Sequence, residues 1–144
     1  AIDYAWSNGQ ASILSCSWGF DSGVEPQPIR EAIIRATTQG RGGKGAVVVF
    51  ATGNDNLNQP HFPSNMTEVI GVGSSTQCNS RKSILPVSCD GVTDWGSNYG
   101  TGLDIVAPGV GIYTTDNTGS DGFTNSNYFS DFGGTSSAAP HVAG

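Results

Sequence analysis

The most constraining feature of this chain is a continuous apolar run at residues 46–51, which reads Ala-Val-Val-Val-Phe-Ala. The run has the length of a strand, and the side chains on both sides of such a strand would be apolar. A strand of that kind is typical of a parallel sheet covered on both faces, where neither face meets water. The run therefore predicts a central parallel strand.

Other segments place helices and further strands around this run. Residues 2–6 carry apolar side chains on one helical face and are followed by Asn8-Gly9, so they are read as the end of a helix. Pro28 can open a second helix, which an apolar stripe continues up to Gly40. Further apolar segments predict strands at 11–17, 69–72 and 103–106, and polar stretches predict surface loops at 76–98 and 115–131. Strands that alternate with a helix and short turns predict an α/β fold.

The charge balance argues against two classes of partner. The 144 residues include 6 Lys and Arg against 12 Asp and Glu, a net charge of −6, which disfavours binding to nucleic acid or to an anionic membrane. No stretch approaches the ~20 apolar residues of a membrane span. With 21 glycines and only 12% charged residues, the composition indicates a compact, loop-rich secreted protein. The N-terminus lacks an initiator Met and the features of a signal peptide, so we expect the chain to begin inside a larger one.

The three cysteines give no metal signature. No C-x-x-C pair occurs, and His61 and His141 have the wrong spacing for a zinc site. Cys78 and Cys89 flank a polar loop and could pair in an oxidising compartment. Cys16 lies in an apolar segment, so we expect a buried free thiol there.

The last eleven residues, 134–144, read G-T-S-S-A-A-P-H-V-A-G. They place Ser136 between a small, flexible dipeptide and a run of good helix formers, and so predict a serine at a helix N-terminus. Free backbone N–H groups and the positive end of the helix dipole favour developing negative charge at that position. Such a position suits a nucleophile whose reaction passes through an oxyanion.

This run resembles the nucleophile motif of the subtilisin-like serine proteases, or subtilases, which reads G-T-S-x-A-x-P-H-V-A-G. The resemblance implies that Ser136 is the catalytic serine. Ala51-Thr52-Gly53-Asn54 ends and follows the apolar strand and resembles the A-x-G-N motif of the same family, which implies that Asn54 is the oxyanion-hole asparagine. Ligand sites in open α/β sheets lie at the carboxyl ends of strands, in agreement with that placement.

A third segment, residues 15–19, reads S-C-S-W-G and resembles the S-x-S-W-G stretch of kexin and furin relatives. In the family this segment offers backbone groups to an extended substrate and forms one side of the primary specificity pocket. The residues that the resemblance assigns to substrate binding are Ser17, Trp18 and Gly19 on this side, and Ala51, Thr52 and Gly53 on the opposite side. Core packing is the alternative for Trp18, because a tryptophan at a strand end is often buried.

Asp21, His61 and Ser136 occur in the chain order of a subtilisin triad. We expect this order to be coincidental, because Asp21 does not end an apolar strand and His61 lies outside the family's H-G-T-H motif and after Asn54. His61 could tune specificity at the pocket floor, or lie in an exposed loop. His141 follows Ser136 on the same predicted helix and cannot stand beside its hydroxyl, so we expect a structural role for it.

The resemblance implies a three-layer, subtilisin-like α/β fold with a mostly parallel central sheet, of which residues 1–144 form the C-terminal part. The chain is then a portion of a single peptidase S8 catalytic domain whose catalytic aspartate and histidine precede residue 1 and whose final helix is truncated. The parent would be a secreted, monomeric endopeptidase that acts on proteins or peptides, whereas the isolated chain would fold poorly and be inactive. No cofactor is required, and a structural calcium ion is left open without assigned residues.

Two alternatives stay open from the sequence. A degenerate, non-catalytic peptide-binding domain would keep the substrate pocket without the chemistry. An α/β-hydrolase esterase would use Ser136 at a nucleophile elbow, although that class needs a strand directly before the serine and an acid and then a histidine well after it.

Overall fold

The computed structural model describes residues 1–84 and 89–144. Its main sheet has four strands in the order β1-β2-β3-β4, and every neighbouring pair is parallel. The strands are β1 (Ile13–Cys16), β2 (Val47–Ala51), β3 (Ile70–Ser75) and β4 (Ile105–Pro108). The predicted parallel α/β fold is therefore confirmed, with the apolar run at 46–51 forming β2.

Within the described residues, three helices cover the two faces of this sheet: α1 (Ile2–Ser7), α2 (Gln27–Gly43) and α3 (Thr135–Ala143). Side chains of β2 alternate between the faces, as the period of a strand requires. Val48 and Phe50 pack in a core with α1 and α2, whereas Val49 and Ala51 pack in a second core against α3. The arrangement is a three-layer fold, as expected from the sequence.

An ion pair between Asp3 and Arg35 connects α1 to α2. The Arg35 guanidinium donates from Nε and Nη2 to the two carboxylate oxygens of Asp3, at 3.0 and 2.8 Å. This hydrogen-bonded guanidinium holds the pKa of the Asp3 carboxyl below its usual value. Both side chains stay partly exposed, so the pair contributes modestly to stability.

A separate antiparallel hairpin precedes α3. It consists of β5 (Ile112–Thr115) and β6 (Tyr128–Phe132), with a short 3₁₀ helix at Gly119–Asp121 between the strands. The prediction of a surface loop over 115–131 is thus wrong at both ends of the segment, where Thr115 ends β5 and Tyr128 begins β6. Strand β6 carries exposed residues on both faces, and its pairing is stabilised by cross-strand stacking of Tyr113 on Tyr128 with ring centres 5.5 Å apart.

Strand β4 begins later than the sequence predicted, at Ile105 rather than residue 103. Leu103 is still part of a turn, since its N–H donates to the Gly100 carbonyl. The Asp104 carboxylate then accepts the Gly71 N–H at 2.7 Å, and the ladder with β3 starts only after it.

The cysteines behave as the sequence suggested. Cys78 and Cys89 form a disulfide, and Cys16 is a buried free thiol. Burial raises the pKa of the Cys16 thiol to about 11, so it stays protonated at neutral pH. None of the helices within residues 1–84 and 89–144 has the length and apolarity needed to cross a bilayer.

A buried ion pair lies next to the disulfide and was not predicted. Lys82 is fully buried, and its ammonium group lies 3.3 Å from a carboxylate oxygen of Asp90. The same ammonium donates to the Val92 carbonyl and lies 5.3 Å from the centre of the Trp95 ring. Carboxylate, carbonyl and aromatic partners together compensate for removing the charge from water.

Candidate active site

The candidate site lies at the carboxyl ends of β1 and β2. Parallel pairing aligns Cys16 with Phe50, so the segments that follow these residues emerge side by side. The N-terminus of α3 approaches the same edge, and an open cleft of about 260 Å³ forms between the three. Seven of the eight predicted site residues line this cleft: Ser17, Trp18, Gly19, Ala51, Gly53, Asn54 and Ser136.

The Asn54 carboxamide is held at the start of α3 by one neighbour. Its Oδ1 accepts the backbone N–H of Thr135 at 2.8 Å and the Thr135 hydroxyl at 3.0 Å. A backbone N–H can only donate, so the oxygen of the amide must face Thr135 and Nδ2 must face away. A Cβ placed on Gly134 would lie 3.3 Å from Nδ2, so this donor faces the glycine that precedes α3.

Ser136 occupies the first turn of α3 and is half-buried. The turn starts tightly, because the Gly134 carbonyl accepts both the backbone N–H and the hydroxyl of Ser137, at 3.1 and 2.8 Å. Gly134 has φ +118°, a backbone conformation that other residues rarely adopt. The backbone N–H of Ser136 is one of the first four of the helix, which have no intrahelical acceptor. It is available to a ligand in the cleft.

Residues 17–19 form one side of the cleft and are anchored from behind. Trp18 is 41% exposed, yet its ring also packs edge-on against Phe50 at 5.0 Å, so the cleft and core interpretations both hold for it. Gly19 lies close to the Phe62 carbonyl. A Cβ built on Gly19 would be 3.0 Å from the Phe62 carbonyl oxygen. Ser17 donates its hydroxyl to the Ser136 carbonyl at 2.7 Å, joining this side directly to α3.

Thr52 departs from the prediction, because it is fully buried and does not line the cleft. Its carbonyl points inward and accepts the His61 N–H at 2.9 Å and the Asn98 side-chain amide at 3.1 Å. Parallel-strand alternation turns the residue between Ala51 and Gly53 away from the cleft. Thr52 therefore supports this side of the cleft from behind.

Asn98 was not predicted as a site residue; it lies in the segment Ser97-Asn98-Tyr99-Gly100. It is fully buried, and its Oδ1 accepts the backbone N–H groups of Asp55 and Leu57 at 3.1 and 2.9 Å. Its own backbone N–H donates to the Gly53 carbonyl at 2.9 Å. Asn98 thus fixes the backbone on both sides of Asn54.

His61, Asp21 and Ser136 all line the cleft, as a catalytic triad would require. The imidazole, however, directs Nε2 to Asp55, whose carboxylate oxygen lies 3.2 Å away, and its side chain is only 14% exposed. His61 and Asp55 thus line the cleft as a paired acid and imidazole. The exposed-loop interpretation of His61 is wrong, because its backbone and ring are both held by the segment after β2.

His141 lies on α3 one turn from the site. Its Nδ1 lies 2.7 Å from the Ser137 carbonyl, a contact within its own helix. This contact agrees with the structural role expected from the sequence. Within residues 1–84 and 89–144, no group of three or more His, Cys, Asp or Glu side chains is arranged to hold a metal ion. A structural calcium ion stays a prediction without assigned ligands.

Comparisons with known proteins identify the family. The model of the subtilase family, Peptidase_S8, matches residues 1–144. The chain belongs to this family. Among curated relatives, alkaline elastase YaB of Bacillus sp. (strain YaB) is 34% identical over 143 residues, and subtilisin BL of Lederbergia lenta is 33% identical over 143 residues. The family match excludes the α/β-hydrolase alternative.

The likeness extends to the fold but covers only part of each relative. The solved structure of the prenylagaramide maturation protease PagA superposes with a TM-score of 0.72 at 28% identity, covering 99% of this chain and 44% of that one. The chain also spans 30% of alkaline elastase YaB and 43% of subtilisin BL. An extracellular protease of Xanthomonas campestris pv. campestris is 38% identical over 102 residues.

Proposed function

We propose that this chain is the C-terminal part of the catalytic domain of a secreted, monomeric serine endopeptidase, with Ser136 as its nucleophile. The observation that carries the proposal is that two donors, the Ser136 N–H and Asn54 Nδ2, lie near one point at the start of α3. A Cβ built on Gly134 would be 3.6 Å from the Ser136 nitrogen and 3.3 Å from Nδ2. Asn54 is held there by Thr135 through hydrogen bonds of 2.8 and 3.0 Å to its Oδ1. Family membership supports the same conclusion.

In the proposed reaction, Ser136 Oγ attacks the carbonyl carbon of the scissile peptide bond. The carbonyl oxygen becomes an oxyanion, which the two donors stabilise without having to reorganise. Collapse of the tetrahedral intermediate releases the amine and leaves an acyl group on Ser136, and water then hydrolyses that ester. No cofactor takes part in these steps.

The nucleophile needs a base, and the described side chains do not supply one in this proposal. His61 is paired with Asp55 at 3.2 Å, and His141 contacts the carbonyl of Ser137 on its own helix. We therefore assign the base and its orienting aspartate to a segment outside this chain, as in a Ser-His-Asp triad. The coverage of 30–43% of the two curated relatives described above is compatible with such a segment.

The cleft would hold the substrate residue on the N-terminal side of the scissile bond. Residues Ser17, Trp18 and Gly19 line one side, and Ala51 and Gly53 line the other. An extended peptide between two such segments can add main-chain hydrogen bonds as an extra strand does. The substrates proposed are accordingly proteins and peptides in extended conformation.

The test is covalent labelling of the full-length protein with a fluorophosphonate, followed by peptide mass spectrometry. We expect one label, on Ser136, and loss of both labelling and peptide hydrolysis in the Ser136→Ala variant. Ser130→Ala, at an exposed serine of β6, is the matched control and should behave as the unchanged protein. The isolated 144-residue chain should neither label rapidly nor hydrolyse peptides.

Two results would contradict the proposal. Rapid hydrolysis by the isolated chain would show that the base lies within these residues. A full-length protein that binds peptides but is not labelled at Ser136 would instead be the degenerate binding domain.

A further inference from the structure

The nucleophile helix contains a proline that removes one of its own hydrogen bonds. In an α-helix, the carbonyl of residue 136 would accept the backbone N–H of residue 140. Residue 140 is Pro, which has no N–H, and its ring crowds the carbonyl four residues earlier. The carbonyl that loses its donor therefore belongs to Ser136, the proposed nucleophile itself.

A side chain from a distant part of the chain takes the place of the missing donor. Ser17 Oγ donates to the Ser136 carbonyl at 2.7 Å, across a sequence separation of 119 residues. Ser17 directly follows β1, whose register against β2 is set by four aligned residue pairs. The hydroxyl is thus presented from the rigid sheet rather than from a long loop.

We infer that Ser17 is a positioning residue for the nucleophile: its hydroxyl replaces the N–H that Pro140 lacks and fixes the peptide unit of Ser136. This inference rests on the proposed function of Ser136. The Ser136 peptide group determines where Oγ stands relative to the oxyanion donors. A displacement of about 1 Å at that point is enough to slow a reaction markedly.

This role is distinct from the substrate contact that the sequence suggested for Ser17. Substrate binding there uses the backbone of residues 17–19, whereas the bond to Ser136 uses the hydroxyl. Removing the hydroxyl should therefore lower kcat and leave KM nearly unchanged. A substitution that disordered the whole substrate cleft would instead raise KM.

The structure offers a specific rescue, because Pro140→Ala supplies the missing N–H to the Ser136 carbonyl. In the full-length protein, Ser17→Ala should lower kcat and the rate of fluorophosphonate labelling about 5- to 10-fold, as the loss of one hydrogen bond does. In the Pro140→Ala background, the same substitution should change both rates less than about 2-fold. Ser17→Thr keeps a hydroxyl and should recover part of the rate that Ser17→Ala loses. Ser12→Ala, at an exposed serine just before β1, is the control that should stay near the unchanged protein.

Equal kcat and equal labelling rates for Ser17→Ala and the unchanged protein would overturn the inference. So would a double variant as slow as Ser17→Ala alone, because the added N–H would then not compensate. Both results leave Ser136 labelled in the unchanged protein, so they are distinguishable from failure of the proposed function. Absence of a label on Ser136 would remove the proposed function and this inference together.

Discussion

Thr135 fixes the Asn54 carboxamide in one orientation, with its backbone N–H and its hydroxyl both on Oδ1, at 2.8 and 3.0 Å. The same hydroxyl accepts the Gly53 N–H at 3.2 Å. One side chain therefore links the segment after β2 to the first turn of α3. The two proposed oxyanion donors are held together by this link, across 81 residues of sequence.

Thr135→Val should weaken this link with little change in volume. The Asn54 amide would lose one of its two fixed partners and the Gly53 N–H would lose its acceptor, so we expect kcat to fall about 10-fold. Thr135→Ser keeps the hydroxyl and serves as the control.

Asn54→Ala should lower kcat more, roughly 10²- to 10³-fold, which is the loss found when subtilisin, a relative, loses an oxyanion-hole donor. Steady-state hydrolysis of one peptide measures both.

Asn98→Ala should destabilise the protein, although the Asn98 side chain does not itself line the cleft. The substitution leaves the backbone N–H groups of Asp55 and Leu57 without their acceptor, and we expect a loss of about 2 kcal/mol in the free energy of unfolding. Urea denaturation of the full-length protein measures it, with Ser136→Ala present to prevent self-cleavage. Asn125→Ala, at an exposed asparagine, should change stability by less than about 0.5 kcal/mol. Equal losses in the two variants would contradict the role of Asn98.

His61→Ala should change specificity rather than abolish hydrolysis. Removal of the imidazole deepens the cleft, so kcat/KM should rise for peptides with a large apolar residue before the scissile bond, relative to peptides with alanine there. A substrate panel measures the shift. Asp21→Asn, at an exposed position of the same cleft, should retain most of the activity. If Asp21→Asn were as damaging as Ser136→Ala, then Asp21, His61 and Ser136 would form a triad after all.

The Asp3–Arg35 pair predicts a small dependence of stability on acid pH. The pKa of Asp3 is lowered in the folded state, so its stabilisation is complete above the unfolded value of 3.8 and is lost as the pH falls through the folded value. Because both groups are partly exposed, solvent screens the pair and the effect should be small. Asp3→Asn should remove it, and Glu68→Gln, at an exposed carboxylate, should not. Denaturation at pH 3 and pH 5 distinguishes the two.

The sequence predicted the parallel sheet and most of the cleft because those signals are local. An apolar run identifies β2, and short motifs identify Ser136 and Asn54, each within a few neighbouring residues. The supporting contacts were missed because they join distant residues. Asn98 contacts Asp55 across 43 residues and Ser17 contacts Ser136 across 119, and no local pattern encodes such pairs. The buried position of Thr52 was missed for a different reason, since a motif does not say which of its residues face away.

The two sides of the cleft continue from neighbouring strands of one parallel ladder. The spacing of those strands is set by their hydrogen bonds at about 4.8 Å and cannot widen without breaking the sheet. In the proposed protease, a change of substrate preference would therefore act through side chains that line the cleft, such as His61 and Asp55, rather than through the spacing of the strands. Redesign of the proposed peptide specificity should begin with those two positions and keep the backbone unchanged.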